Sequence, residues 1–139
     1  MKILVIDDQE DILDFMKGFL VSKGHHVTAV NTALEGVARS QLEPVDLVIT
    51  DIFLPVLSGM EVIRFLRKNN IATHIIAISG GEGSGDGREE SANIALHFGQ
   101  FHGADAVLKK PFGLDELEKT ILTVCRERPR FQGRQYAHA

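Results

Sequence analysis

Five short, mostly apolar runs, each followed by a segment with helical periodicity, constrain the fold that this chain of 139 residues can adopt. Four of the runs are almost continuously apolar, which is typical of strands that are buried on both faces of a sheet. The second alternates and is rich in valine, which indicates a more modest strand. The five predicted strands are Lys2–Ile6, His26–Val30, 45–49, 75–78 and 104–108.

The segments between the runs carry apolar residues three and four positions apart, the spacing of an amphipathic helix. The first stripe, for example, begins with Ile12, Phe15 and Met16 and ends near Gly24, a residue type that commonly terminates helices. The five predicted helices are 11–24, 32–42, Gly59–Lys68, a segment spanning 94–101, and 114–124.

The alternation of strands and helices implies right-handed crossovers and a parallel sheet with helices on both faces. We therefore predict an α/β fold, a three-layer α/β/α domain of the doubly wound, flavodoxin-like kind with strand order 2-1-3-4-5. We expect this domain to cover residues 1–127. Residues 128–139 show no periodicity and are expected to form a flexible C-terminal tail.

The composition restricts the classes of partner. A formal net charge of −4 gives no reason to expect a general affinity for nucleic acid. No apolar run approaches the roughly 20 residues that span a bilayer, and the chain begins with a strand pattern instead of a signal region. The single cysteine, Cys125, is expected to pack in the core. We expect a cytoplasmic monomer or weak dimer without nucleic-acid or membrane partners.

Polar residues follow four of the predicted strands at the point where each strand ends. Asp7 and Asp8 follow the first strand, Asp51 the third, Ser79 the fourth and Lys110 the fifth. Asp51 taken alone could simply cap a turn, since aspartate is common where a chain leaves a strand. In the predicted order, however, the first and third strands are neighbours, and ligands bind at the carboxyl ends of such sheets. The three carboxylates should therefore meet in one pocket.

Three neighbouring carboxylates repel one another, so at neutral pH either the pKa of some of them rises or a cation joins them. Ligands that are all oxygen suit Mg²⁺. A nucleophilic carboxylate beside a hydroxyl, an ammonium and a metal site has the composition needed for phosphoryl transfer, in which catalysis is mostly positioning and charge neutralisation. The sequence thus favours phosphate chemistry at this edge of the sheet.

These motifs resemble those of a receiver domain of the response regulators of two-component signalling systems, of the single-domain, chemotaxis-regulator-like kind. The resemblance covers residues 1 to 127. The matching motifs are Asp7-Asp8, Asp51 with Pro55 and Gly59 four and eight residues later, Ser79 followed by a small residue, and Lys110-Pro111.

The resemblance implies that Asp51 is the phospho-acceptor of a phosphorelay, taking a phosphoryl group from a phosphohistidine on a histidine kinase or a phosphotransfer protein. It also implies that Asp8, Asp51 and the backbone carbonyl of Phe53 bind Mg²⁺ or Mn²⁺ directly, with Asp7 acting through a water. Such a phosphoprotein catalyses its own phosphorylation and dephosphorylation, and its downstream protein target is not implied by the motifs.

The same resemblance assigns Lys110 to one phosphoryl oxygen and Ser79 to another. It implies a cis peptide bond between Lys110 and Pro111, an isomer that proline makes accessible. Val107 departs from the family, which usually has an aromatic switch residue there. We therefore expect switching to be relayed by other means, through the loop at residues 80–88 and the helix after it.

The loop contains Gly80 and Gly81 among several other glycines and is longer than is common in the family. It could be a flexible lid, a partner-recognition loop or a tolerated surface insertion. Phe53 and Gly81 occupy positions from which polar side chains orient the attacking water in the family. Because neither can do so here, we expect phospho-Asp51 to be long-lived.

Two other functions compete with the signalling switch. One is an aspartyl-phosphate hydrolase of the haloacid dehalogenase type, in which a second acid lies two residues after the nucleophile and acts as a general acid. That position holds Phe53 here, which argues against turnover of phosphate esters. The other is a pseudo-receiver that binds partners without being phosphorylated, and the complete set of acids, hydroxyl and lysine argues against it.

Overall fold

The computed structural model describes residues 1–69, 71–79 and 103–126. Within these residues, five parallel strands form one sheet with the order β2-β1-β3-β4-β5. The predicted strand order is therefore confirmed. The strands are β1 (Lys2–Ile6), β2 (His26–Val30), β3 (Leu47–Asp51), β4 (His74–Ser79) and β5 (Ala106–Lys109).

Four helices lie within the described residues. Two of them begin with the same local motif, because the side chains of Thr32 and Ser58 accept hydrogen bonds from the backbone N–H groups of Glu35 and Glu61. None of the four helices is both long and apolar enough to cross a membrane. The helices are α1 (Glu10–Ser22), α2 (Ala33–Leu42), α3 (Gly59–Lys68) and α4 (Leu114–Arg126).

The sheet separates two apolar layers. Since side chains alternate between the faces of a strand, β1 sends Leu4 and Ile6 to one face and Ile3 and Val5 to the other. The first face is covered by α2 and α3, and the second by α1 and α4. This is the predicted three-layer arrangement. The predicted helix at 94–101, the loop at 80–88 and the tail at 128–139 lie outside the described residues.

The predicted bounds of the third strand are wrong at both ends. β3 starts at Leu47, which pairs with Ile3 of β1, while the preceding Asp46 accepts the Lys2 N–H on its carboxylate and donates its own N–H to the Lys2 carbonyl, both at 2.8 Å. β3 continues through Asp51, whose backbone pairs with Ile78 of β4. Pairing with the neighbouring strand, and not side-chain polarity, decides where the strand ends.

The fifth strand also starts later than predicted, at Ala106. The preceding Asp105 bonds the backbone of Ile75 with its N–H and receives the Ile75 N–H on its carboxylate, both at 2.8 Å. The same carboxylate accepts a 3.0 Å hydrogen bond from the guanidinium of Arg67. We call Arg67 and Asp105 the amino-end pair, since they lie where the parallel strands begin.

Candidate functional site

The acids predicted from the sequence lie together at the carboxyl end of the sheet. Asp7 and Asp8 follow β1, and Asp51 ends the adjacent β3. One carboxylate oxygen from each lies within 4.8 Å of the others. Asp7 is 0% exposed and Asp51 3%, whereas Asp8 is exposed, so two of the three charges are out of contact with solvent.

Lys110 reaches this cluster from the end of β5 and is itself buried. Its Nζ lies 2.9 Å from Asp51 Oδ2 and 2.9 Å from Asp7 Oδ2. A third contact, at 2.7 Å, joins Nζ to the side-chain oxygen Oε1 of Gln9. The peptide bond to Pro111 is cis, as the family resemblance implied.

The Asp51 carboxylate is held at both oxygens. Oδ1 accepts a 2.8 Å hydrogen bond from the backbone N–H of Phe53, and Oδ2 accepts one from Lys110. The Phe53 side chain is 45% exposed and is therefore not part of the apolar core that its neighbours Ile52 and Leu54 join. These two bonds fix the orientation of the carboxylate at the pocket.

Burial dominates the electrostatics of the pocket. Burial raises the pKa of Asp51 to about 6, and the charge of Asp7 adds to this, although the hydrogen bond and charge of Lys110 act in the opposite direction. Burial likewise raises the pKa of Asp7. Burial disfavours the charged form of Lys110, but the two carboxylates more than offset this and raise its pKa. One ammonium does not fully compensate two buried acids.

Ser79 ends β4, the strand next to β3. Its side chain is fully buried, and its hydroxyl has no hydrogen-bond partner among the described residues. A buried hydroxyl without a partner costs about 1 to 3 kcal/mol. Such a group is suited to an acceptor that arrives with a ligand or a modification.

The close packing of Gly59 shows why its spacing from Asp51 matters. Its N–H donates to the carbonyl of Ile52 at 2.9 Å, which seats the start of α3 against the end of β3. A Cβ at this position would overlap the carbonyl oxygen of Asp51. The loop between them turns at Val56, a β-branched residue with φ of 70°, which is a strained conformation.

The structure brings together Asp7, Asp8, Asp51 and Lys110, while Gly80 and Gly81 lie outside the described residues. Val107 is partly buried on β5 and packs against the apolar layer of α2 and α3.

Sequence reasoning missed Gln9. It lies at the N-cap of α1, where Ser, Thr, Asp or Asn is preferred, and its side chain makes no cap hydrogen bond among the described residues. The presence of glutamine at an N-cap position was the only sequence feature that could have pointed to this residue.

A protein-family model of the response regulator receiver domain matches residues 3–122. The chain belongs to this receiver domain family. The cell cycle response regulator CtrA of Brucella ovis is 32% identical over 126 residues, which is 91% of this chain and 50% of that protein. This receiver domain thus spans about half the length of the curated relatives it matches.

Solved receiver structures agree with the fold. The chemotaxis response regulator CheY4 of Vibrio cholerae is 27% identical with a TM-score of 0.73, covering 88% of this chain and 97% of that one. A receiver domain protein from Clostridium thermocellum is 31% identical with a TM-score of 0.73, covering 90% and 94%. The receiver identity predicted from the sequence is confirmed, and the dehalogenase-type alternative finds no support in these comparisons.

Proposed function

We propose that this receiver domain is a phosphorylation-dependent switch and that Asp51 accepts the phosphoryl group from a histidine kinase or a histidine phosphotransfer protein. The observation that carries the proposal is the contact of one buried ammonium, that of Lys110, with both buried carboxylates at 2.9 Å. In the transfer, an Asp51 oxygen forms a bond to phosphorus while the bond from phosphorus to the donor imidazole breaks.

Lys110 and Ser79 can each donate a hydrogen bond to an oxygen of the phosphoryl group. Lys110 donates to Asp51 Oδ2 before the reaction, so its Nζ already lies beside the reacting carboxylate and can pair with a phosphoryl oxygen. The buried Ser79 hydroxyl, which lacks a partner among the described residues, gains one when a second phosphoryl oxygen arrives. Ser79 therefore favours the phosphorylated state, and Lys110 offsets part of the negative charge that this state adds.

The acid cluster fits a divalent cation such as Mg²⁺ or Mn²⁺. Asp7, Asp8 and Asp51 offer hard carboxylate oxygens within 4.8 Å of one another, and burial together with the charge of Asp7 raises the pKa of Asp51, which a cation would offset. We assign Asp8, Asp51 and the Phe53 carbonyl as direct ligands and Asp7 as a ligand through water. When bound, such a cation neutralises charge on the phosphoryl oxygens.

The response to phosphorylation belongs to the same proposal. With Val107 in place of an aromatic residue, we propose that the change passes through residues 80–88, which include Gly80 and Gly81, and that the switch acts through protein contacts in the cytoplasm. The extent of the domain, residues 1–127, also stays a prediction.

Because Phe53 cannot orient water, a Phe53→Asn variant should shorten the lifetime of phospho-Asp51 as measured by loss of label.

Labelling with acetyl phosphate and Mg²⁺ tests the proposal without a partner protein. We expect one equivalent of phosphate per chain, and no label in Asp51→Asn. Asp14→Asn is the matched control, since Asp14 is an exposed acid on α1 away from the cluster. Failure of the wild-type chain to label would contradict the switch and favour a pseudo-receiver. Continuous release of many equivalents of phosphate would instead favour a hydrolase.

A further inference from the structure

We infer that Gln9 is a positioning residue that holds the Lys110 ammonium in the pocket for phosphoryl transfer, an inference that rests on the proposed function. Its Oε1 accepts a hydrogen bond from Lys110 Nζ at 2.7 Å, the shortest of the three contacts that Nζ makes with Gln9, Asp7 and Asp51. The two residues are 101 positions apart in the sequence.

The location of Gln9 gives it two roles at the pocket. Its backbone N–H donates to Asp7 Oδ1 at 2.9 Å, while its side chain reaches Lys110. An N-cap side chain ordinarily bonds the first N–H groups of its own helix, and Gln9 makes no such bond among the described residues. The side chain is thus directed to the pocket and not to the start of α1.

The chemistry of the amide suits this role. A lysine ammonium has three N–H donors, and here its three neighbours are two carboxylates and one amide oxygen. The amide is neutral, so it occupies a donor without adding a third negative charge around the buried ammonium. Hydrogen bonds to a neutral acceptor are weaker than those to a carboxylate, so Gln9 does not hold Lys110 back from an incoming phosphoryl oxygen.

The surroundings show what Gln9 prevents. Gln9 and Lys110 line one side of an open groove of about 450 Å³ whose other walls include Ile12, Phe15 and Phe112. The lysine side chain is long and flexible, and ordering it costs up to about 2 kcal/mol of rotamer entropy. Without the Gln9 acceptor, the ammonium can turn toward this groove and its solvent, away from the reacting carboxylate.

Two substitutions separate positioning from a merely structural role. Gln9→Met keeps a similar volume and removes the acceptor oxygen, whereas Gln9→Glu keeps an acceptor. With saturating Mg²⁺ and acetyl phosphate, we expect Gln9→Met to label at least about tenfold more slowly, because a displaced catalytic group loses rate steeply. Gln9→Glu retains the Lys110 contact and should label faster than Gln9→Met, although its added negative charge should keep it slower than wild type.

A second readout is the ammonium resonance of Lys110 in ¹⁵N NMR spectra. We expect a resolved signal in wild type and Gln9→Glu, and loss of that signal through solvent exchange in Gln9→Met, with an unchanged unfolding midpoint. Gln41→Met, at an exposed position on α2, is the control and should change nothing. Labelling of Gln9→Met at the wild-type rate, or equal slowing in both Gln9 variants, would overturn the inference. If the wild-type chain itself does not label, the proposed function fails instead.

Discussion

This receiver domain buries charge at both ends of its sheet, and the two groups of charges are satisfied very differently. At the amino end, Arg67 donates to the carbonyls of Gly103, Ile71 and Thr73 and to the Asp105 carboxylate, so one cation meets one acid inside a set of backbone acceptors. These interactions link several segments of the chain and therefore have a structural role.

At the carboxyl end, Asp7 and Asp51 share one ammonium, and the Ser79 hydroxyl has no partner among the described residues. Burial raises the pKa of both acids, and the contact with Lys110 does not bring either back to its ordinary value. A fully paired buried cluster stabilises a fold, whereas an incompletely paired one costs stability and leaves room for a ligand. The difference supports the proposal that function lies at the carboxyl end of the sheet.

The largest expected effect is on the amino-end pair. Arg67→Ala should lower the free energy of unfolding by about 3 to 5 kcal/mol, because it removes the guanidinium from the largely buried Asp105 carboxylate and from three backbone carbonyls. Arg64→Ala is the matched control on the same helix, since Arg64 pairs with Glu61 at an exposed site and should contribute no more than about 0.5 kcal/mol. Urea denaturation measures both free energies of unfolding. Equal losses in the two variants would show that the amino-end pair contributes no more to stability than an exposed ion pair.

Removing an acid at the carboxyl end of the sheet should instead raise the free energy of unfolding. Because the pKa of Asp51 is about 6 in the folded protein and 3.8 without burial, the folded state binds more protons between these values. Stability without metal should therefore fall as pH rises through this window, by about 2 to 3 kcal/mol. Asp51→Asn should remove this loss.

We accordingly expect Asp51→Asn to be more stable than wild type at about pH 8 in EDTA and similar to it at about pH 4. Mg²⁺ should narrow the gap, since a ligand that binds only the folded wild type stabilises it by mass action. Thermal unfolding at the two pH values measures the effect. An Asp51→Asn variant less stable than wild type at the higher pH would mean that Lys110 compensates both acids after all.

A smaller effect on stability is expected where α3 packs against the end of β3. Gly59→Ala should cost about 1 to 3 kcal/mol and slow labelling, because the new methyl group displaces the Asp51 backbone. Gly18→Ala is the control, since a Cβ at that exposed position of α1 meets nothing within 4 Å and should stabilise the helix by up to about 1 kcal/mol. Destabilisation of both variants to the same degree would show that the close approach is not the cause.

The smallest expected stability change concerns the two hydroxyls at neighbouring strand ends. Ser79→Ala should leave stability unchanged or raise it by up to about 1 kcal/mol while slowing labelling, because its hydroxyl has no partner to lose among the described residues. Thr50→Val removes a hydroxyl that donates to the Asp51 carbonyl at 3.1 Å and should cost about 1 kcal/mol. A larger loss in Ser79→Ala than in Thr50→Val would contradict the assignment of Ser79 as an unsatisfied group.

Much of the fold and of the candidate site could be predicted from the sequence, because these features depend on local sequence patterns. The strands Lys2–Ile6 and His26–Val30 and the helix Gly59–Lys68 have the bounds predicted from periodicity, and the helix starts directly after the capping residue Ser58. The convergence of Asp7, Asp8 and Asp51 follows from the strand order, since parallel neighbours end at the same edge.

The rest depends on contacts between distant parts of the chain. The bounds of β3 and β5 are set by hydrogen bonds to other strands, which periodicity does not report. Arg67 and Asp105 lie on different elements, and nothing local marks either as buried. The contact of Gln9 with Lys110 likewise joins opposite ends of the sequence, so only the folded structure identifies it.

The central position of β3 has a consequence for measurement. β3 pairs with β1 on one side and β4 on the other, and all five of its residues are buried. Its amide N–H groups point alternately toward β1 and toward β4, and each can exchange with solvent only when its own buried ladder opens, an event close to global unfolding. Deuterium uptake along β3, the strand that ends with Asp51, therefore measures how metal binding or phosphorylation changes the stability of the fold without any added probe.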